Sequence, residues 1–330
     1  MTQSRPHHPE RDASLRGAKR RSNPGAERRL LDGFASLAMT AFIASCMLFL
    51  APAARAAKDA PPAPDFAFGA YQRGDYLVAM KEAKKRIAAN PKDAAALTLI
   101  GQLYLEGAGV GRDLSTAMQW FKRGADAGDR EAAYLYGAAA LNGAGAPKNR
   151  AVARAYLEKA AAQDHPAALH LIGELALENE GAPSDFGRAA DYFRRAAAKG
   201  DADSLYALGL LYKTGRGVPK DEREAAEWFR RAAELDFAPA MVEFAVLQFN
   251  GVGAPRDRAA AAQWFRKAAA KGNAVAQNRL AHILAEGLGV EANLAEAREW
   301  RDKSREAGLN DPSLDYLSSA SAPAKPTAVK

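Results

Sequence analysis

A pattern that recurs every 36 residues dominates the sequence and constrains its fold more than any other feature. The eight residues TGRGVPKD at 214–221 have counterparts in the same frame that begin at 106, 142, 178, 250 and 286, with no insertion between copies. Positions that share this spacing form columns: Gly or Ala at 101 and its equivalents, Ala at 117, and Trp or Tyr at 120. Six units fill about residues 94–309, and repeats of this length are stable only when neighbouring units stack.

Each unit is predicted to contain two helices. Apolar side chains at three- and four-residue spacing indicate them in the first unit: Leu97, Ile100, Leu103 and Tyr104, then Ala117, Trp120, Phe121 and Ala125. The small residues at 101 and 117 let the paired helices approach closely, and the Trp/Tyr column is expected to fill the gap toward the next unit. A column of Asp or Asn predicts the N-caps of the second helices: Asp113, Asn149, Asp185, Asp221, Asp257 and Asn293.

The glycine-rich loop between the two helices allows two interpretations. Such a loop can aim backbone N–H groups at a phosphate, but a phosphate cradle usually occurs once per protein, between a strand and a helix. Here the loop occurs six times and lies between helices. Its glycines are therefore predicted to supply the positive φ angles and the space that a tight helix-to-helix connection needs.

The columns resemble the Sel-one-like repeat family, whose members are relatives of the tetratricopeptide repeats (TPR). The resemblance rests on L-G-x-x-Y-x-x-G-x-G-V, then D, then A-x-x-W-F-x-x-A-A and a closing G, and unit four, YALGLLYKTGRGVPKDEREAAEWFRRAAELD, follows it closely. Unit three departs most, with Asn179 for the first loop glycine and Ala176 for the tyrosine. The resemblance implies an all-α fold, a right-handed α/α solenoid of helix-turn-helix repeats that forms a TPR-like superhelix and holds partner proteins.

The segments that flank the six repeats at 93–309 have patterns of their own. Residues 65–92 resemble a TPR-like hairpin, with Gly74-Asp75-Tyr76 at the turn. In the last unit Arg301 and Arg305 replace apolar residues, as expected of an end helix that faces water. The remaining predicted segments are a Pro/Ala linker at 57–64, a C-terminal cap at 310–317 and a disordered tail at 318–330.

The N-terminal segment 1–56 predicts export. Residues 1–29 contain eight Lys/Arg and three Asp/Glu, and an uncharged apolar run follows at 33–51. This order is typical of a signal peptide, with cleavage expected after Ala56, or of an uncleaved membrane anchor. Either one places the repeats outside the cytoplasm, in the periplasm or tethered to the inner membrane. Arg28-Arg29 and residues 43–46 leave twin-arginine export and lipoprotein processing as further alternatives.

Composition argues against several functional classes. Residues 57–330 contain 37 Lys/Arg and 35 Asp/Glu, so no electrostatic case for nucleic-acid binding exists outside the leader. Cys46 is the only cysteine, which excludes disulfides, thiol catalysis and cysteine-based metal sites from the exported part. The exported part also lacks GxSxG, SxxK and HExxH arrangements, so neither catalysis nor a cofactor is expected.

One cluster in unit three allows a metal hypothesis. His170, Glu174 and Glu178 lie at i, i+4 and i+8, so they share one face of the predicted helix and could bind a metal ion. A solvated polar stripe produces the same spacing. No metal site is therefore assigned.

These observations predict a non-catalytic scaffold or regulator of the cell envelope that binds a protein or peptide partner, with membrane contact only through an uncleaved N-terminal segment. By the resemblance, the first helices line a concave face, and a mixture of aromatic, amide and charged groups there suits a peptide or partner helix. Tyr134 and Tyr206 could instead serve only packing or bind a glycan or the cell wall, and a hydrolase of unrecognised type is a further alternative. The candidate partner-binding residues are Thr98, Gln102, Tyr134, His170, Glu174, Tyr206, Lys213 and His282.

Overall fold

Helices form all the regular structure in residues 65–178 and 183–318, the part of the chain that this computed structural model describes. The predicted leader, the linker and residues 319–330 of the tail lie outside it. None of the described helices is both long and apolar enough to cross a lipid bilayer. The helices are α1 (Phe66–Gln72), α2 (Tyr76–Ala89), α3 (Ala94–Glu106), α4 (Leu114–Asp126), α5 (Arg130–Asn142), α6 (Arg150–Ala161), α7 (Pro166–Leu177), α8 (Phe186–Ala197), α9 (Ala202–Thr214), α10 (Glu222–Glu234), α11 (Ala238–Asn250), α12 (Arg258–Ala270), α13 (Ala274–Glu286) and α14 (Leu294–Glu306), followed by a 3-10 helix (Pro312–Ser318).

The helices pack in chain order. The two helices of each unit lie against each other, from α3 with α4 to α13 with α14, and each second helix also packs against the first helix of the next unit. The hairpin α1–α2 joins this series through the contact between α2 and α3. The order confirms the prediction of an all-α solenoid built from helix-turn-helix repeats.

The predicted N-caps are confirmed. Asp113 accepts a hydrogen bond from the backbone N–H of Thr116 at 3.0 Å, and the Asp or Asn of the other five units does the same for its own helix. Each bond satisfies a first-turn N–H that has no partner inside the helix. At the other end of the second helices, Asp164 and Asp236 replace the closing glycine and adopt left-handed φ angles of 54° and 67°. The chain therefore adopts a left-handed conformation at this position even in the units where the residue is not glycine.

The glycine-rich loops are turns that also join neighbouring units. The first loop glycine ends the first helix with a positive φ, which is 72° at Gly215. The second lies against the N-terminus of the preceding unit's second helix, because a Cβ placed on Gly253 would come within 1.9 Å of the carbonyl oxygen of Glu222. In unit three α7 ends at Leu177, one position earlier than the equivalent helices, and its C-cap Glu178 has φ −90° rather than a left-handed value.

Each unit is held together by a small residue that faces a large one. A Cβ on Gly209 would lie 2.5 Å from Phe229. The corresponding distances for Gly101, Gly137 and Gly173 are 2.7, 2.8 and 2.5 Å, to Phe121, Leu157 and Phe193. The sequence predicts that the Trp/Tyr column fills the gap toward the next unit. In the structure, Trp228 and its equivalents are only half-buried, and the side chains buried in the interior are those one residue later, such as Phe229. Most rings of the Trp/Tyr column lie under a cation three residues further on, as Arg231 lies 4.6 Å from the Trp228 ring.

The C-terminal end corrects one expectation. Arg301 does not face water: it is only 5% exposed and donates hydrogen bonds to the Leu314 carbonyl at 3.4 Å and to Ser318 Oγ at 2.8 Å. The 3-10 helix covers it, and Leu314 and Leu317 of that helix are fully buried. The arginine therefore replaces the buried Phe or Leu of the other units because a segment outside the repeat supplies its hydrogen-bond acceptors. Arg305 is exposed, as expected.

Candidate functional site

The candidate partner-binding residues do not converge on one pocket. They lie on the first helices of units one to four and of unit six, which are α3, α5, α7, α9 and α13. Every one of them is half-buried. This set is called the first-helix row below. Its members are Thr98, Gln102, Tyr134, His170, Glu174, Tyr206, Lys213 and His282.

The aromatic members of the row pack against the N-cap of the next first helix, and Tyr206 also packs against the second helix of its own unit. The ring of Tyr134 stacks on the imidazole of His165, with centroids 4.5 Å apart and an interplanar angle of 19°. The ring of Tyr206 lies 5.6 Å from Phe229 and 5.5 Å from Phe237. Burial and the charge of Glu243 raise the pKa of the Tyr206 phenol. Both tyrosines therefore stabilise a junction between units, whatever else they contact.

His170 is the centre of a charged group at the junction between units three and four. Its Nδ1 lies 2.9 Å from Ser204 Oγ and 3.4 Å from Asp201 Oδ2, and its Nε2 lies 3.4 Å from Glu174 Oε1. Burial alone would lower the pKa of His170, but the hydrogen bond and charge of Glu174, with the charges of Asp201 and Asp203, raise it to about 9. The imidazole is consequently cationic at neutral pH.

The metal hypothesis is not supported by this geometry. Glu178 is directed to Arg150, with Nη1 and Oε2 3.0 Å apart, and not toward His170. Among residues 65–178 and 183–318, no three His, Cys, Asp or Glu side chains are arranged to bind a metal ion. The His170 group is an ion-pair and hydrogen-bond network between two units.

The remaining members of the row make polar contacts of the same kind. Lys213 in α9 forms an ion pair of 2.5 Å with Glu243 in α11, which is the next first helix. His282 in α13 lies 2.9 Å from Asp311, a residue of the C-terminal cap. Contacts with His282 and Ser313 hold the pKa of the Asp311 carboxyl well below its usual range. Gln102 donates to Glu106, which also accepts a hydrogen bond from the phenol of Tyr71 at the start of the solenoid.

The sequence interpretation missed the partners of these residues. Tyr134, His170 and Tyr206 each contact the residue 31 positions later, which is the N-cap of the next first helix. That N-cap column has the same 36-residue spacing as the others and was visible in the sequence: Asp93, Asp129, His165, Asp201, Phe237 and Asn273. Asp201 and Asn273 accept a hydrogen bond from their own helices through an oxygen, and His165 through Nδ1, so this column combines capping with contacts between units.

Comparison with known proteins supports the same architecture. Six consecutive segments match the Sel1 repeat, at residues 94–129, 130–165, 166–201, 202–237, 238–273 and 274–309. These are the Sel-one-like repeats expected from the columns, and Sel1 repeat proteins are typically non-catalytic scaffolds for protein interactions. A search of curated proteins gave no match.

Two solved structures are similar to this chain. One is a Sel1 repeat protein from Oxalobacter formigenes, with 31% identity over 72% of this chain and 94% of that one and a TM-score of 0.63. The other is c5321, a protective antigen of uropathogenic Escherichia coli strains with an SLR fold, at 28% identity and a TM-score of 0.67 over 73% of this chain. This chain spans about half of that protein, 52% of its length. With six matching segments that cover most of the described residues, the chain belongs to the Sel1 repeat family.

Proposed function

We propose that this protein is an exported, non-catalytic scaffold that binds a partner protein or peptide along the first-helix row, on the side where the repeat geometry predicts a concave face. The observation that supports it is the row itself: polar and charged side chains, all half-buried, on the same side of successive first helices. Such groups are held in place by contacts with the next unit and still reach solvent. An extended partner could therefore contact several units at once.

The chemistry of the row favours a protein partner over a glycan. Carbohydrate binding would need an aromatic ring that offers its face to a sugar. One face of Tyr134 is covered by His165, and Tyr206 packs against two phenylalanines. The charged or titratable members that reach solvent are Glu174, Lys213 and His282, whose side chains are 23%, 39% and 24% exposed, and such groups suit the backbone and side chains of a peptide.

The location is proposed from the sequence. The basic segment, the apolar run and the small residues that follow have the order of a secretory signal or anchor. Partners of an exported scaffold would be proteins of the cell envelope. A protease-accessibility assay on intact and osmotically opened cells tests this: the repeats should be digested only after the outer permeability barrier is opened.

Photocrosslinking in the native cell tests the binding surface. A photoreactive residue in place of Val246, which lies in α11 on the same side as the row, should capture a partner. The same residue in place of Gln263 on the exposed side of α12 should not. Capture from Gln263 alone, or equal capture from both positions, would contradict the proposed surface.

Charge removal provides a second test with a matched control. Lys213→Gln with Glu243→Gln removes the ion pair of the row, and Lys271→Gln with Asp236→Asn removes an exposed pair between other elements. Capture from Val246 should weaken by about tenfold only for the first pair of changes. If both variants capture equally well while retaining their melting temperatures, this ion pair has no part in binding.

A further inference from the structure

The hairpin α1–α2 has a concentration of exposed large apolar side chains that no repeat shares. Among the described residues, seven large apolar side chains are exposed, and four of them lie in this hairpin: Phe66, Tyr76, Leu77 and Val78. Leu77 is 72% exposed and Val78 is 50% exposed, both in the first turn of α2. Exposed apolar side chains this concentrated commonly indicate an interaction surface.

Lysines follow the two apolar residues on the same side of α2. Ala79, Met80 and Ala83 are buried against the solenoid, and the positions between them point away from it. The exposed set is called the α2 outer face, and it consists of Leu77, Val78, Lys81, Lys84, Lys85 and Ala88. It presents an apolar first turn followed by basic turns.

The repeats provide an internal comparison for this face. Asp75 and Asp113 are equivalent N-caps, so each position of α2 has a counterpart in every second helix. The counterparts of Leu77 are small or polar: Ser115, Ala151, Gly187, Arg223, Ala259 and Ala295. The counterparts of Lys81 are neutral or acidic: Gln119, Ala155, Asp191, Glu227, Gln263 and Glu299.

The hairpin and the repeats also have net charges of opposite sign. Residues 65–92 contain six Lys/Arg and three Asp/Glu, a net charge of +3, whereas residues 93–318 contain 28 and 31, a net charge of −3. Within α2, Lys85 lies 3.7 Å from Glu82, and no described residue forms an ion pair with Lys81 or Lys84. The lysines of this face are therefore available to an anionic partner.

We propose that the α2 outer face docks on an anionic lipid surface, with Leu77 and Val78 at the boundary of the acyl chains and Lys81, Lys84 and Lys85 among the headgroups. Apolar residues beside lysines on one helix face are what an interfacial helix presents to a bilayer. A second copy of the chain is a poorer occupant because it would bring like charges together. Nucleic acid is poorer as well, because it offers phosphates to the lysines but no apolar phase in which Leu77 and Val78 could be buried.

This docking differs from a membrane anchor in the N-terminal segment, and it is independent of partner binding along the first-helix row. The face follows the predicted apolar run at 33–51 by 25 residues. An anchored chain would therefore have it within reach of the bilayer, and a cleaved chain would bind reversibly through this face alone. In both cases the first hairpin would be the end of the solenoid nearest the membrane.

Two single-cysteine chains test the proposal with equivalent labels. A chain that begins at Ala57, after the predicted cleavage, has no cysteine, so Ala88→Cys or Ala270→Cys introduces a single one at equivalent exposed positions of α2 and α12. Each chain is labelled with a polarity-sensitive dye and mixed with vesicles of phosphatidylcholine, with or without an equal part of phosphatidylglycerol. We expect a blue shift of the emission only for the label at position 88 and only with the anionic vesicles.

Variants of the face sharpen the test. Lys81→Gln, which copies the residue of unit one, should weaken the partition by about fivefold. Leu77→Ser with Val78→Thr, which copies Ser115 and Thr116, should abolish the blue shift, while the control Leu235→Ser with Val275→Thr removes two exposed apolar residues elsewhere and should preserve it. Circular dichroism verifies that each variant is folded. A blue shift with both vesicle types, at both labels, or without lipid as protein concentration rises would overturn the proposal.

Discussion

Inside each repeat nearly the same pair of residues meets in every unit, whereas at the junctions between first helices the residues differ from unit to unit. Gly101, Gly173 and Gly209 each face a phenylalanine of the second helix at a distance that leaves no room for a Cβ. At the junctions, the same geometry joins Tyr134 to His165, His170 to Asp201 and Tyr206 to Phe237. The interior contact joins a small residue to a large one in every unit, whereas the chemistry of the junction contacts differs from unit to unit, so selectivity can vary at the junctions without loss of the fold.

The largest expected effect tests the interior. Phe229→Ala should lower the free energy of unfolding by about 3–5 kcal/mol, because Phe229 is fully buried against Gly209. Trp228→Ala should lower it by about 2 kcal/mol, since the indole is only half-buried. Urea denaturation followed by circular dichroism measures both. An equal loss for the two variants would mean that the Trp/Tyr column contributes as much as the Phe column.

A glycine replacement tests the same contact from the other side. Gly209→Ala places a Cβ 2.5 Å from the ring of Phe229, and we expect a loss of about 3 kcal/mol from overpacking. Gly111→Ala is the control, because a Cβ there would have no heavy atom within 4 Å. The two melting temperatures should differ clearly. If the Gly209→Ala variant melts at the same temperature as the Gly111→Ala variant, the helices of unit four can move apart without loss of stability.

The stability contributed by the junctions should depend on pH, whereas that of the repeat interior should not. The pKa of His170 is raised to about 9 in the folded protein, above the ordinary value of about 6.5 in an unfolded chain. Its stabilising contribution is therefore complete below about pH 6.5 and is lost as pH rises toward about 9, by an amount on the order of 3 kcal/mol.

His170→Gln separates this contribution from other titrating groups. Urea denaturation at closely spaced pH values should show a decline in stability between about pH 6.5 and 9 in the parent chain that is absent in the variant. Because Glu174, Asp201 and Asp203 all face His170, Asp201→Asn should shift the decline to lower pH. Parallel curves for parent and His170→Gln would show that the imidazole titrates normally.

The outcome at particular residues shows what the sequence could predict. The helices, caps and turns followed from periodicity because Asp113 and its equivalents meet the same requirement in all six units, and Gly215 and its equivalents do so in all but unit three. In each second helix the Trp or Tyr is followed directly by another large residue, as Phe229 follows Trp228, so a difference of one residue decides which side chain is buried, and composition alone does not resolve it. The burial of Arg301 depends on Leu314 and Ser318, which lie outside the repeat and outside its period.

The smallest expected change distinguishes packing from binding at the junctions. Tyr206→Phe preserves the ring contacts with Phe229 and Phe237 and removes only the hydroxyl, so the free energy of unfolding should change by less than about 0.5 kcal/mol. Tyr206→Ala removes the ring and should destabilise the chain by about 2 kcal/mol. If the first-helix row binds a partner, the Phe variant should crosslink less from Val246 at unchanged stability. If crosslinking falls only with the Ala variant, and in proportion to its lost stability, Tyr206 serves packing alone and the polar members of the row carry the recognition.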